Sequence, residues 1–281
     1  MENLKELGFV SDDEIVYPYF EELGWKVEPV AWQKPNADWN KYDVVLIRTT
    51  WDYQNHPGKF LSVLERITKS THLENPLEVV RWNLNKNYLL KLQRKGIDIP
   101  PTIKFHLLDY EKVINLFDKL QSDEIIIKPI ISANADRTYK LHRDTFQNTI
   151  TEVLDTINKQ EYLAQPFRKN VVEEGEYSVF FFNNKFSHAI LKTPKAGDFR
   201  VQEEHGGVVR SVSPFSSLIE TAEKILKVLK RKLLYARVDL IRNEQNKFEL
   251  IELELIEPSL YLRTNPEAPV NFAKAFNEWF K

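Results

Sequence analysis

Two apolar segments near the end of the chain, residues 234–241 and 248–256, constrain its fold more than any other feature. Each reads as a strand, and the polar link Asn243-Glu244-Gln245-Asn246-Lys247 reads as a turn, so the pair forms an antiparallel hairpin. With Asn243 facing Phe248, Asp239 falls opposite Glu252, and Glu252 shares a strand face with Glu254, Phe248, Leu250 and Ile256. Three carboxylates then lie within roughly 5 to 7 Å of one another. At an effective dielectric of about 20 each such pair repels by roughly 3 kcal/mol, so positive charge belongs among them. Two readings stay open. Hard carboxylate oxygens without His or Cys neighbours suit Mg²⁺ or Mn²⁺, and Mg²⁺ completes its shell with phosphates and water, which points to a nucleotide. Alternatively, the glutamates face solvent on an edge strand and Arg237 or Lys247 neutralises them; the apolar residues expected on their face weigh against this.

The 281 residues suffice for one large α/β domain or two smaller ones, with a core that needs no covalent staple. The absence of cysteine excludes thiol nucleophiles, thiolate metal sites and redox switching, and fits a reducing compartment. No apolar run reaches membrane-spanning length and the N-terminal stretch is acidic and polar, so a cytoplasmic location with no membrane partner is expected. With 39 Lys and Arg against 41 Asp and Glu, the chain lacks the cationic excess of a nucleic-acid binder. Any anion it holds is small and local. His56, His72, His106, His142, His188 and His205 are not spaced as metal ligands, and no Gly-x-Ser-x-Gly or Walker-type loop occurs, which disfavours a serine hydrolase or a P-loop ATPase.

The expected fold class is α/β, shading into α+β. Residues 1–82 alternate a helix over 13–23, an extended stretch over 27–31, a strand over 42–48 and a helix over 57–68, the rhythm of a small parallel sheet with crossover helices. Such a unit ordinarily opens on an apolar strand. Residues 1–13 contain none, so a first strand is expected to be missing, to be restored ahead of Met1 by a longer reading frame. A further helix takes Asn83 or Asn85 as N-cap, Leu84, Tyr88, Leu89 and Leu92 as its apolar face and Gly96 as its stop. Beyond Pro100-Pro101 the pattern predicts strands over 124–130 and 162–167, a helix over 143–160, a hairpin of 177–182 and 186–192 across Asn183-Asn184, and helices over 217–232 and 270–280.

Two lysines call for an anion. Ile125-Ile126-Ile127 is a buried-strand run that ends in Lys128, and Lys86 falls in the first turn of its expected helix, where the dipole disfavours a cation. Each alone is equally well a surface lysine laid along apolar neighbours; jointly with the downstream carboxylates they favour a bound nucleotide.

The order of these features resembles the ATP-grasp superfamily, in the glutathione-synthetase-like branch that includes cycloserine-synthase-like proteins. Asn85-Lys86 and Gly96-Ile97-Asp98-Ile99-Pro100-Pro101-Thr102 are similar to the lysine-bearing helix and its exit, and Ile127-Lys128-Pro129 to the strand lysine on the α-phosphate. Gln165-Pro166-Phe167 resembles the adenine hinge, Gly175-Glu176-Tyr177-Ser178 the strand whose glutamate holds ribose, and Asp198-Phe199-Arg200-Val201-Gln202 with Gly206-Gly207 the arginine segment on the transferring phosphate. Asp239, Glu252 and Glu254 match the metal ligands, Glu254 standing where many relatives have Asn. The phosphate-covering loop departs from the pattern, because Ile131-Ser132-Ala133-Asn134-Ala135-Asp136 has no glycine.

The resemblance implies an ATP-grasp domain over 83–281, with a lid over about 102–165 and a metal-binding part over about 166–281, behind a small Rossmann-like domain over 1–82 on the substrate side. It implies ATP and two Mg²⁺ ions, with Lys86, Lys128, Gln165, Phe167 and Glu176 on the nucleotide and Arg200 and Lys192 at the reaction centre. The implied activity is a ligase that activates a small amino-acid-like carboxylate as an acyl phosphate for an amine, thiol or ureido nucleophile. A phosphotransferase and a nucleotide-binding module without turnover are the alternatives, and a homodimer is one arrangement the chain allows. Ile47-Arg48-Thr49-Thr50-Trp51-Asp52-Tyr53 ends an expected strand, where open α/β sheets place ligands. There Arg48 suits a substrate carboxylate and Asp52 an ammonium, with Trp51 between them, and relatives carry a similar Arg-x-x-Trp-Asp-Tyr; an Arg–Asp bridge capped by aromatics is an equal reading. Arg81, Trp82 and Asn83 are further candidates. For Lys192 and Arg263 an ordinary ion pair is the stronger reading.

Overall fold

A computed structural model describes residues 11–157 and 161–281. A strand ahead of Met1, and the end of the helix expected to reach residue 160, lie outside the described residues.

Helix α1 (Tyr17–Glu22) leads to strand β1 (Val44–Leu46), helix α2 (Pro57–Ser70) and strand β2 (His72–Glu74). β1 and β2 pair in parallel, Val45 beside Leu73, with α2 as the crossover. α2 forms because Phe60, Val63, Leu64 and Ile67 recur at helical spacing and join Trp32, Trp39 and Tyr53 in one buried cluster. Residues 27–31 have no ladder partner among the described residues.

Helices α3 (Leu77–Asn83) and α4 (Tyr88–Gln93) follow, and the N-cap of α4 is Asn87, not Asn83 or Asn85. Asn83 ends α3, and its amide is spent on the last strand of the fold: Nδ2 donates to the Leu253 carbonyl at 2.8 Å, and Oδ1 accepts from the Leu255 N–H at 2.9 Å. Lys86 therefore precedes the helix, its N–H bound to the Ile130 carbonyl at 2.7 Å, and the dipole argument made for it does not apply. Gly96 does stop the helix, at a left-handed φ of 82°.

Strand β3 (Ile103–Phe105), helix α5 (Tyr110–Leu120), strands β4 (Glu124–Pro129) and β5 (Tyr139–His142), helix α6 (Ile150–Ile157) and strand β6 (Tyr162–Pro166) build an antiparallel sheet of order β3-β6-β4-β5. α5 went unpredicted although it carries its own signals: Asp109 caps it through the Lys112 N–H, and Val113, Leu116, Phe117 and Leu120 make its buried stripe.

Helix α7 (Asn170–Glu173) precedes strands β7 (Glu176–Phe182), β8 (Lys185–Thr193) and β9 (Val208–Ser211), helix α8 (Ser216–Leu229), strands β10 (Tyr235–Arg242) and β11 (Phe248–Glu254), and helix α9 (Ala268–Phe280). The strands form an antiparallel sheet of order β11-β10-β7-β8-β9. Asn183 and Asn184 take positive φ, as a two-residue hairpin turn demands. One face of this sheet packs on α4 and α8, the other on α1 and α9.

Asp239 does sit opposite Glu252, but by another route than expected. Arg242, not Asn243, pairs with Phe248, and the register slips between Asp239 and Leu240, leaving Ile251 as the extra residue of a β-bulge. The bulge reverses the alternation of β11. Phe248, Leu250 and Leu253 turn into the core beside Val238 and Leu240, whereas Glu252 and Glu254 share the opposite face with Arg237 and Asp239. The apolar company expected for the two glutamates is thereby corrected.

Candidate active site

Strands β4 and β6 on one side and β7, β8, β10 and β11 on the other enclose a cavity of about 220 Å³. Its apolar wall is a small cluster of its own, in which Phe167, Val171, Val201 and Ile241 pack with Ile126, Phe199 and the bulged Ile251. Gln165 lines the cavity beside Phe167 and donates to the Thr102 hydroxyl at 2.8 Å. An apolar wall with a polar edge suits a planar heterocycle.

The other end is charged. Lys86 is buried, and its ammonium donates to Glu252 at 2.6 Å and to the Ser132 carbonyl at 3.0 Å. Lys128, from the end of β4, reaches the Ile251 carbonyl at 3.3 Å. Burial pushes its pKa down to about 8, with Glu252 opposing and Lys86 adding to the fall. Across from the lysines, Arg237 bridges Asp239 at 3.0 Å and Glu254, and Ser178 donates to Asp239 at 2.5 Å. Lys192 pairs with Glu176, its cross-strand neighbour, and stands 3.7 Å from Asp239. Burial pulls the Lys192 pKa down, but Asp239 and Glu176 outweigh it and raise it above the usual value. Burial likewise opposes the charge on Asp239, which Arg237 and Lys192 nevertheless hold below the ordinary carboxylate range. Glu254 goes the other way: burial in the cleft, with Asp239 and Glu252 adding to it against Arg237, pushes it up to about 7.

Arg200 also lines the cavity, with its guanidinium on Asp198 at 2.8 Å. The glycine-free loop nearby does what glycine usually does, since Asn134 and Ala135 both adopt left-handed φ, near 53° and 54°. Of the residues expected around the substrate, Trp51 lines the cavity and donates its indole N–H to the Glu257 carbonyl at 2.9 Å. Arg48 and Asp52 are engaged elsewhere: Arg48 pairs with Asp13 at 2.9 Å, and Asp52 accepts from Trp32 at 2.7 Å and Gln33 at 2.8 Å. Arg81 forms an exposed pair with Glu65, Trp82 packs on Tyr88, and Arg263 bridges Asp12 and Glu203. Sequence reasoning missed Arg237 as a cavity residue, although its place two residues before Asp239 was the signal, and missed Glu257, Tyr53 and Tyr261.

Among the described residues no group of three carboxylate or imidazole side chains stands ready around one point as a metal site. The donor chemistry still fits a hard divalent cation, because three carboxylates and no softer ligand face the charged end. Filling it requires Lys86 and Arg237 to give up the oxygens they hold.

Two sheets with an apolar slot and a charged end in the cavity between them, on a chain that matches an ATP-grasp family model, mark an ATP-dependent ligase of the ATP-grasp type. The chain belongs to the family whose model is described as the prokaryotic glutathione synthetase ATP-grasp domain, which matches residues 99–260. Residues 2–75 match the N-terminal domain of D-cycloserine synthetase DcsG. Over its length the chain is similar to the cycloserine biosynthesis protein DcsG of Streptomyces lavendulae, at 27% identity over 274 residues that cover 92% of this chain and 90% of the relative. The crystal structure of D-cycloserine synthetase DcsG superposes with a TM-score of 0.85 at 25% identity, covering 96% of this chain and 95% of the other. D-alanine–D-alanine ligase from Bacillus anthracis shares the fold, with a TM-score of 0.63 at 15% identity over 95% of this chain and 92% of that one. No described helix is long and apolar enough to cross a membrane.

Proposed function

We propose that the enzyme joins the carboxylate of a small amino-acid-like molecule to an amine-like, thiol or ureido nucleophile through an acyl phosphate formed from Mg-ATP. One observation carries this reading: Lys86 and Lys128 confront Asp239, Glu252 and Glu254 within a single cavity whose far end is an apolar slot. Relatives named for D-cycloserine synthesis and for D-alanine ligation support an amino-acid-like substrate.

In this proposal Phe167, Ile241 and Ile251 bracket adenine, Gln165 meets its edge and Glu176 the ribose. Lys86 and Lys128 hold phosphate oxygens, and Arg200 swings from Asp198 to the phosphoryl group in transfer. Lys192 keeps Glu176 and Asp239 in place. Asp239, Glu252 and Glu254 would hold Mg²⁺, or Mn²⁺, which when bound would supply positive charge against the phosphate in transfer. A carboxylate oxygen attacks the γ-phosphorus as the bond to ADP breaks. The nucleophile's lone pair then attacks the acyl carbon, inorganic phosphate leaves, and the nucleophile's proton passes to phosphate or water. Orientation and charge neutralisation supply the acceleration, with no side-chain base needed. The proposed division is a substrate-side domain over 1–82 and an ATP-grasp domain over 83–281, with its lid over about 102–165 and its metal-binding part over about 166–281.

The test supplies ATP, Mg²⁺ and a panel of amino acids, small peptides and ureido compounds, and follows ADP. ADP release that needs both an acid and a nucleophile is expected, and hydroxylamine should trap the activated acid as a hydroxamate. ADP release without a hydroxamate would point to a phosphate monoester and overturn the acyl-phosphate step.

A further inference from the structure

Inside the apolar wall of the cavity the chain passes from one sheet to the other between two adjacent residues. Phe167 is held by the sheet of β4 and β6: its N–H donates to the Glu124 carbonyl at 2.9 Å. The Lys140 ammonium, paired with the Glu124 carboxylate at 2.6 Å, lies 3.7 Å from the centre of the Phe167 ring. Arg168 is held by the sheet of β10 and β11. Its Nε and Nη2 each donate to Glu249 at 2.8 Å, and its Nη1 reaches Glu244 in the β10–β11 turn at 2.9 Å. Asn170 adds a further tie to that sheet, donating to the Arg242 carbonyl at 3.0 Å.

Glu249 is only 6% exposed and accepts another bond, from the Asn243 amide at 3.2 Å. In the ladder it stands opposite Ile241, two residues before the bulged Ile251. The apolar wall is therefore built from both sheets, Ile126 and Phe167 on one and Ile241 and Ile251 on the other, and the peptide between Phe167 and Arg168 with the fork on Glu249 ties the two together. A buried ion pair is a poor source of net stability, because the cost of desolvation offsets its attraction. A bidentate guanidinium–carboxylate fork is a good ruler, since it fixes distance and plane at once.

We infer that Arg168 and Glu249 are a positioning pair that sets the gap between Phe167 and the two isoleucines of β10 and β11, and with it the size of base the bound nucleotide can carry. The inference rests on the reading above that lays the base against this wall. The pair acts through Phe167 and takes no part in phosphoryl transfer.

Calorimetry with Mg²⁺ present compares ATP with etheno-ATP, whose base carries one more fused ring on the same sugar and triphosphate. The wild type is expected to bind ATP about 20-fold or more tightly than the analogue, the penalty of forcing extra atoms into a fixed gap. Glu249→Gln, which keeps the side-chain shape and removes its charge, should bring the two ligands within about 4-fold, by weakening ATP and leaving the analogue almost unchanged. Glu244→Gln removes only the exposed partner of the same guanidinium and should keep the wild-type ratio within about 2-fold. Should Glu249→Gln not fold, Arg168→Lys, which keeps the charge and loses the fork, is expected to narrow the ratio about 3-fold or more. A ratio that survives in the variant, including equal weakening of both ligands, would make the pair a structural prop and overturn the inference while the nucleotide site stands. A wild type that takes both ligands equally well overturns it too. Binding of neither ligand to the wild type overturns the nucleotide reading itself.

Discussion

Asp239 is the residue on which most charges converge: Arg237, Lys192 and Ser178 all contact it inside the sheet. Asp239→Asn should lower ADP formation by about 100-fold or more, as removal of a group stabilising phosphoryl transfer does. It should also cost up to about 3 kcal/mol, because two buried cations lose their shared partner. A coupled ADP assay alongside denaturant melts separates the two effects; full activity in the asparagine variant would remove Asp239 from the proposed metal set. Ala135 illustrates a different economy. Its φ of 54° is one that glycine adopts without a Cβ clash, so Ala135→Gly is expected to raise stability by up to about 1 kcal/mol, where alanine-to-glycine changes ordinarily lower it. A thermal melt decides the sign. Residue type and chain order made the lysines and carboxylates of the cleft legible before any coordinates. Arg48 was misplaced because its partner Asp13 lies 35 residues away, a pairing no local pattern announces.

Among elements, β10 was expected over residues 234–241 and occupies Tyr235–Arg242, one residue on, since its polar turn and its apolar run mark both ends. The bulge in β11 was not legible, because a single extra residue leaves composition and spacing almost unchanged while it inverts every side chain on one half of the strand. It implies an unusual tolerance. Deleting Ile251 should restore a regular ladder and leave Phe248 and Leu250 inward and Glu252 and Glu254 outward, so the variant is expected to fold with an unchanged far-UV spectrum and weaker ATP binding. An unfolded variant would show that the bulge itself holds the sheet together. α5 was missed although its cap and stripe were present, and α3 because Asn83 looks like a helix start yet spends its amide on residues 253 and 255. Long-range use of a polar side chain is the recurrent reason that boundaries misread.

At the scale of the molecule, the small parallel sheet and the two hairpins behind it were foreseeable, whereas strands β3, β5 and β9 and the tie between sheets were not: the Tyr235 hydroxyl lies 2.9 to 3.0 Å from the carbonyls of Ile47, Glu74 and Ile256 and fastens the parallel pair to the larger sheet. One source of acid sensitivity lies in the larger sheet. His188 is buried flat on Phe180, with ring centroids 4.2 Å apart, and its Nε2 must carry the proton, since it meets the Leu260 carbonyl at 3.0 Å. Burial pushes its pKa down to about 4, against that hydrogen bond. The folded protein therefore resists a proton that the unfolded chain accepts near 6.5, so this contribution is complete above pH 6.5 and is lost as the pH falls towards 4. The loss amounts to up to about 3 kcal/mol. Denaturant melts between pH 7 and 4 should show a shallower decline in His188→Leu than in the wild type; equal slopes would assign the acid sensitivity to other groups.

Lys86 and Arg237 already answer the charges of Glu252 and Glu254, which makes the resting cleft a closed electrical circuit. A bare divalent ion entering it would have to evict an ammonium or a guanidinium and offer nothing in exchange. In the proposed site, a metal–triphosphate chelate would bring oxygens for the evicted cations at the moment its metal claimed the carboxylates. Loading would then be a trade of partners in which neither newcomer gained a foothold alone.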